Sequence, residues 1–283
     1  MDIIPAESLV ILSGLAAAAS WGIADFGGGL FTKRTNVYGI VLVTQATGVL
    51  LLAAIAIMLS ETMPPLNTIF WSVLGGIVGT AGIVALYRGL AQGKMGVVAP
   101  VSAVVAVIIP VIYSIASEGL PPSHRIAGFV IAAISLWLVT GSPRREETRL
   151  SDIGLALIAG AGFGFYFIAI SRFDEGSLFW PLIIVRLVAV VMLFVFILLR
   201  APAGIPSGKM LPGIIAIGVF DTTGNIFFTL ASQFGRLDIA AVTSSLYPGG
   251  TVLLAWLILK ERLSPRQWFG VGMTLAAIVL ISA

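Results

Sequence analysis

GKMGVVAPVSAV at residues 93–104 and GRLDIAAVTSSL at residues 235–246 align without a gap, 142 residues apart. Gly93 meets Gly235, Lys94 meets Arg236 and Ser102 meets Ser244. The same offset pairs Trp21-Gly22 with Phe163-Gly164 and Gly128 with Gly270. With one inserted residue, Glu118-Gly119-Leu120 meets Glu261-Arg262-Leu263. One offset that holds across several regions is the mark of an internal duplication.

The segments around these stretches are apolar. The chain of 283 residues is 58% hydrophobic and only 10% charged, against about 25% charge in a soluble domain. Its mean hydropathy is +1.07. Water could not solvate such a surface, so the chain reads as an integral membrane protein. Ten apolar runs are long enough to cross a hydrocarbon core. They cover 7–30, 36–60, 67–91, 96–117, 124–141, 151–172, 178–199, 210–233, 238–259 and 265–282. Runs of this length are helices, because barrel strands are short and alternating. The polar stretch SPRREETRL, residues 142–150, divides them five and five. The expected fold is all-α, with ten transmembrane helices as two five-helix repeats, residues 1–142 and 143–283. An odd number of spans forces the second copy to enter the membrane inverted, a construction typical of transporters.

Composition excludes several functions. No cysteine is present, which removes disulfides, iron–sulfur clusters and thiol catalysis. The single histidine, His124, stands beside Arg125 in a short loop and is expected to be solvated rather than to ligate a metal. The net charge of +3 is read as loop charge, not as a nucleic-acid footprint. MDIIPAESLV lacks a basic start, so the first run is expected to be retained rather than cleaved. On this span map eleven Lys and Arg residues lie on one side and three (Arg125, Arg172, Arg236) on the other. The positive-inside rule then puts both termini outside.

Four charges fall within spans: Asp25, Arg88, Arg186 and Asp221. Arg88 lies near a helix end, where it can snorkel to the interface. Arg186 is either at headgroup level or paired within the bundle. Asp221, in GVFDTTGNIFF (residues 218–228), is the deepest, and an ionised group there costs about 2.5–3.5 kcal/mol on insertion scales. Helical spacing puts Asp221, Asn225, Phe228 and Ser232 on one face, and Trp21 and Asp25 on another. Thr80, Ile83 and Tyr87 share a face of span three, and Phe163, Tyr166 and Phe167 one of span six. Carboxylates combined with aromatic stripes point to a lined cavity. Gly14–Ala18, Gly75–Gly79 and Gly160–Gly164 are spaced for close helix approach. In SSLYPGGT, residues 244–251, Pro248 and Gly249 weaken the helix and mark a hinge. Pro100 and Pro110 are hinge candidates in span four. No HExxH, Walker or GxSxG motif is present. FDTTG is similar to the aspartic-protease DTG, but with an extra Thr and no second copy.

ASWGIADF in span one, ALYRGLAQGKMGVVAPVSAVVAVIIP across spans three and four, and LYPGGTVLLAWLILKERLSPRQWFGVGMTLAAIVLI at the end resemble the drug/metabolite transporter superfamily, in its EamA-like ten-helix branch. The closing pattern of Leu257, Leu259, Lys260, Glu261, Leu263, Gln267 and Gly270 is the most distinctive part. The resemblance implies two inverted halves, no bound cofactor, and movement of small organic solutes through a cavity lined by helices one, three, four, six, eight and nine. A family arginine early in span two has no match here, where Thr44 and Gln45 stand; Arg186 holds the equivalent place in the second half. Many relatives place their termini in the cytoplasm, whereas loop charge here places them outside.

The sequence thus predicts a non-enzymatic, multi-pass protein of the inner or plasma membrane, a monomer or homodimer, whose partners are the lipid bilayer, a small organic solute and protons. It would export an amino acid or related amphipathic metabolite by alternating access. Trp21, Tyr87, Phe163, Phe228 and Tyr247 would stack on the solute; Asp25, Asn225 and Ser244 would meet its polar groups; Asp221 would couple protons. The alternatives are a carrier for choline or quaternary-ammonium cations, an intramembrane aspartyl protease using Asp25 and Asp221, and a scaffold without transport.

Overall fold

A computed structural model describes residues 5–32, 34–91, 95–140, 150–200, 206, 208–260 and 263–282. All regular structure among them is helical: α1 (Ala6–Thr32), α2 (Val37–Met58), α3 (Leu66–Ala91), α4 (Met95–Glu118), α5 (Ser123–Thr140), α6 (Leu150–Ile170), α7 (Phe179–Arg200), α8 (Leu211–Phe234), α9 (Leu237–Ser244), α10 (Tyr247–Leu259) and α11 (Pro265–Ser282). Among the described residues nine spans are long and apolar enough to cross a bilayer, α9 and α10 counting together as one. The tenth, α11, opens on the polar Pro265-Arg266-Gln267, which lowers its hydropathy.

The ninth predicted span is two helices with a break at Ser245 and Leu246. Pro248 has no N–H to offer the Ser244 carbonyl, and Gly249 and Gly250 follow it, so the ladder lapses. Around the break the backbone tightens into three-residue closures, Leu246 N to Thr243 O and Gly249 N to Leu246 O. Span four behaves differently from the expectation of a hinge there. α4 runs unbroken through Pro100 and Pro110, because each proline stands alone among residues that sustain a helix.

Successive spans alternate in direction. The end at which α1 begins, here the proximal face, therefore also holds the α2–α3, α4–α5, α6–α7 and α8–α9 connections. These connections are tied to one another. The Glu61 carboxylate accepts from the backbone N–H groups of Leu178, Phe179 and Trp180 at 2.6–2.9 Å, capping α7 with negative charge where its dipole favours it. Thr68 donates to Asp174 at 2.6 Å. Arg236 pairs with the buried Asp238 at 2.7 Å and donates to the Gly119 carbonyl at 2.8 Å. Asp238 holds the Arg236 guanidinium above its already high ordinary pKa, so this tie stays charged. Arg125 is buried and paired with Glu7 at 2.8 Å. His124 departs from the solvated reading: it is half-buried, and its Nε2 is enclosed without a partner.

Helix packing is reciprocal. α1 packs on α8 as α3 packs on α6; α2 packs on α8 as α3 packs on α7; α4 packs on α6 as α1 packs on α9 and α10. α5 faces α11, and α2 faces α7. Atomic contacts follow the 142-residue offset. A side chain at Gly128 would meet Ile281 and Leu280, and one at Gly270 would meet Val139 and Leu138. The small-residue pairs are close-approach points as expected: Gly14 faces Thr243, Gly79 faces Tyr166, and Gly160 faces Ser102 and Val105.

The tightest crossing is α3 on α6. A Cβ at Gly162 would stand 2.6 Å from the Val78 carbonyl oxygen and 2.7 Å from the Gly82 Cα. Backbone cannot yield as a flexible side chain does. Gly162→Ala is therefore expected to destabilise the protein by about 1–3 kcal/mol. Gly28→Ala, with nothing within 4 Å, is expected to be neutral or stabilising by up to about 1 kcal/mol. Thermal unfolding in detergent micelles measures both.

Candidate functional site

The deepest cation, Arg186 on α7, is only 3% exposed. Of the two readings left open by the sequence, the paired one holds. Its Nη1 donates to Gln45 Oε1 of α2 at 2.7 Å, and its Nη2 to Asp221 Oδ2 of α8 at 2.7 Å. Gly48, one turn from Gln45, makes the room: a Cβ there would fall 2.7 Å from the Arg186 side chain. A buried guanidinium is tolerable only if its donors are met and its charge is paired. The chain of contacts continues along α8. Asn225 Nδ2 donates to the Asp221 carbonyl at 2.7 Å, and Asn225 Oδ1 accepts from the Tyr166 hydroxyl of α6. Four helices are thus joined at mid-span by polar side chains.

Toward the proximal side of this chain lies an aromatic cluster. The Trp21 ring is 6.0 Å from Phe167, 5.9 Å from Phe228 and 6.2 Å from Tyr247. Gly224 lets Trp21 lie against α8; a Cβ there would fall 2.4 Å from the indole. Phe228 is completely buried, so it backs Trp21 instead of facing open space. Phe163 is half-buried on α6.

Asp25 is one helical turn beyond Trp21 and exposed. The exposure is not to lipid. Leu12, Ala19 and Ile23 form the outward stripe of α1, and two residues of helix turn about 200°, so Asp25 points the opposite way from Ile23. There it comes within electrostatic reach of Asp221, whose side chain is 32% exposed. Asp25 is thus exposed on the inward side of α1. Burial differs along the ninth span. Every residue of α9, on the proximal side, is buried, whereas Pro248 is the only buried residue of α10, on the distal side. Polar ties join the proximal connections, and α10 is less buried than α9.

The remaining predicted site residues scatter. Ser244 is fully buried at the α9–α10 break, and its Oγ has no partner. Tyr247 edges onto Trp21. Asn225 is taken up by Tyr166 and the α8 backbone. The side chains of Tyr87 and Pro100 lie outside the described residues. Arg88 is exposed, its guanidinium 5.5 Å from the centre of the Phe196 ring, as snorkelling requires. Gln45 and the Arg186–Asp221 pairing went unrecognised in the sequence. The available signal was two intramembrane charges of opposite sign in adjacent spans.

Residues 150–283 match the family model described as the EamA-like transporter family. The chain is 29% identical over 131 residues to an uncharacterized protein of Methanocaldococcus jannaschii, an alignment covering 46% of this chain and 93% of that one. A solved crystal structure superposes with a TM-score of 0.77 over 96% of both chains, at 17% identity. That likeness speaks to the fold alone.

Removing the acceptor of a buried guanidinium leaves the charge uncompensated. Asp221→Asn is expected to destabilise the protein by about 3 kcal/mol, the lower end of the usual range because Gln45 remains. In the double variant Arg186→Gln/Asp221→Asn most of that loss is recovered. A double-mutant cycle by thermal unfolding reads the coupling.

Proposed function

We propose, from the match of residues 150–283 to the EamA-like transporter family model, that the protein is a secondary transporter or facilitator, not an enzyme, built from two inverted five-helix units, residues 1–142 and 143–283. Three observations support the duplication: the shared offset of 142 residues, the reciprocal helix pairing, and a relative of about half this length that aligns over 93% of itself. Inverted units can exchange conformations around a midplane site. In this reading the sealed proximal side and the open distal side form one of the two states, and the α9–α10 break, with Pro248 and Gly249, is the hinge. Loop charge supports the distal side as cytoplasmic and the termini as outside.

The observation that carries the reading is the exposed, inward-facing Asp25 beside Asp221 and the Trp21 platform. A carboxylate is retained at membrane depth where it serves a pathway. The solute is a small amphipathic metabolite bearing an amino group, an amino acid or related compound moving outward. Trp21, Phe163 and Tyr247 contact its apolar part, with Tyr87 contributing from α3 and Phe228 supporting Trp21. Asp25, Asn225 and Ser244 serve its polar groups. We assign proton coupling to Asp221, the carboxylate joined to Arg186. The protease reading fits less well: Asp221 is paired with Arg186 at 2.7 Å and not with Asp25.

Proteoliposomes containing the purified protein, given labelled amino acids and amines under an imposed pH gradient, test this. Saturable flux that loses its pH dependence in Asp221→Asn is expected. Unchanged flux and pH profile in that variant would remove the coupling role, and absence of flux for every solute would remove the transporter reading.

A further inference from the structure

The constellation is electrostatically unbalanced. Arg186 has one carboxylate, Asp221, and one amide, Gln45, both at 2.7 Å. It is only 3% exposed, and both of its Nη groups are engaged by these partners. Asp25 differs in every respect. Among the described residues no hydrogen bond or ion pair reaches it, and its side chain is exposed on the inward side of α1. The charged group within reach on the facing α8 is Asp221, which repels negative charge. Tyr166 on α6, itself close to Arg186 and Asp221, is committed to Asn225. One carboxyl group is therefore left without a cation partner among the described residues, and it is the exposed one.

On this basis, and resting on the transporter reading above, we infer that the solute is an amine carrying a net positive charge, anchored by Asp25 with its apolar body on Trp21, and that Arg186 is a structural counter-ion and no receptor for a carboxylate. An ammonium group gains twice in such a place. It pairs with the free carboxylate, and it can lie over the face of an aromatic ring, where the ring quadrupole attracts cations. A zwitterion gains the first contact but must bring its own carboxylate close to the carboxyl groups of Asp25 and Asp221. An anion gains neither. Discrimination here is set by the repulsive element as much as by the attractive one. The amino-acid substrate of the broader reading is thereby narrowed to the corresponding amine.

The test holds the apolar body fixed and varies only charge. Tryptamine, tryptophan and indole-3-acetate are titrated into the full-length protein in nanodiscs, and binding is followed by calorimetry and thermal shift. Tryptamine is expected to bind saturably, at least tenfold tighter than tryptophan, with no binding of indole-3-acetate. Asp25→Asn should weaken tryptamine at least tenfold, and Asp25→Glu should restore part of the loss. Unliganded melting of each variant shows that it is folded. Tryptophan binding as tightly as tryptamine, tryptamine indifferent to Asp25→Asn, or no binding of tryptamine would each overturn the inference. Tryptamine and tryptophan counterflow in proteoliposomes separates the two levels. Asp25-dependent binding without flux would keep the cation site and remove transport, whereas tryptophan flux without tryptamine flux would keep transport and remove the cation site.

Discussion

A guanidinium halfway across a bilayer must be paired or hydrated, and the arrangement of this protein's centre follows from how Arg186 meets that constraint. It draws Asp221 from α8 and Gln45 from α2 to within 2.7 Å. Asp221 in turn positions α8 so that Asn225 meets Tyr166 of α6. These contacts cost desolvation and add little net stability beside apolar packing of the same volume. Their effect is registry: four helices are fixed at one depth, and the second carboxylate, Asp25, is left without a partner.

The two faces of the bundle are held by different means. On the proximal side, connections from distant parts of the chain are laced by Glu61, Asp174 and Arg236, and the helices beneath them are filled. Beyond Asp25 and Asp221 the packing opens. A fold that seals one face with polar ties and leaves the other loose is suited to opening by exchange of the ties. Two members of these ties, Thr68 and Asp238, are fully buried. The interrupted helix lies beside Gly22, where Gly250 and Thr251 pack directly on α1.

Much of this architecture was legible in the sequence because it depends on composition and spacing. Apolar runs of bilayer length gave the spans, and the helices found differ mainly where Pro248-Gly249-Gly250 splits the ninth. Close-approach glycines such as Gly14 and Gly160 were found where small-residue spacing puts them. α4 runs through Pro110 without a break, because the residues around a lone proline sustain the helix. At the site, Trp21 and Asp25 were read from one-turn spacing, which reports a shared face within one helix. Asn225 and Phe228 were also correctly placed on one face with Asp221, yet their partners lie on other helices, where spacing says nothing. The Arg186–Asp221–Gln45 cluster joins three helices across 35 and 141 residues of chain, and only charge complementarity hinted at it.

The account turns on Asp25 facing water that enters from the distal side. The chain has no cysteine, so a single Asp25→Cys substitution reports this directly when probed with a membrane-impermeant methanethiosulfonate applied to one side of oriented vesicles at a time. Rapid modification from the distal side, with slow or no modification from the proximal side, is the result the account predicts. A thiol that reacts from neither side, as it would in a dry core or against acyl chains, or one that reacts only from the proximal side, would contradict it.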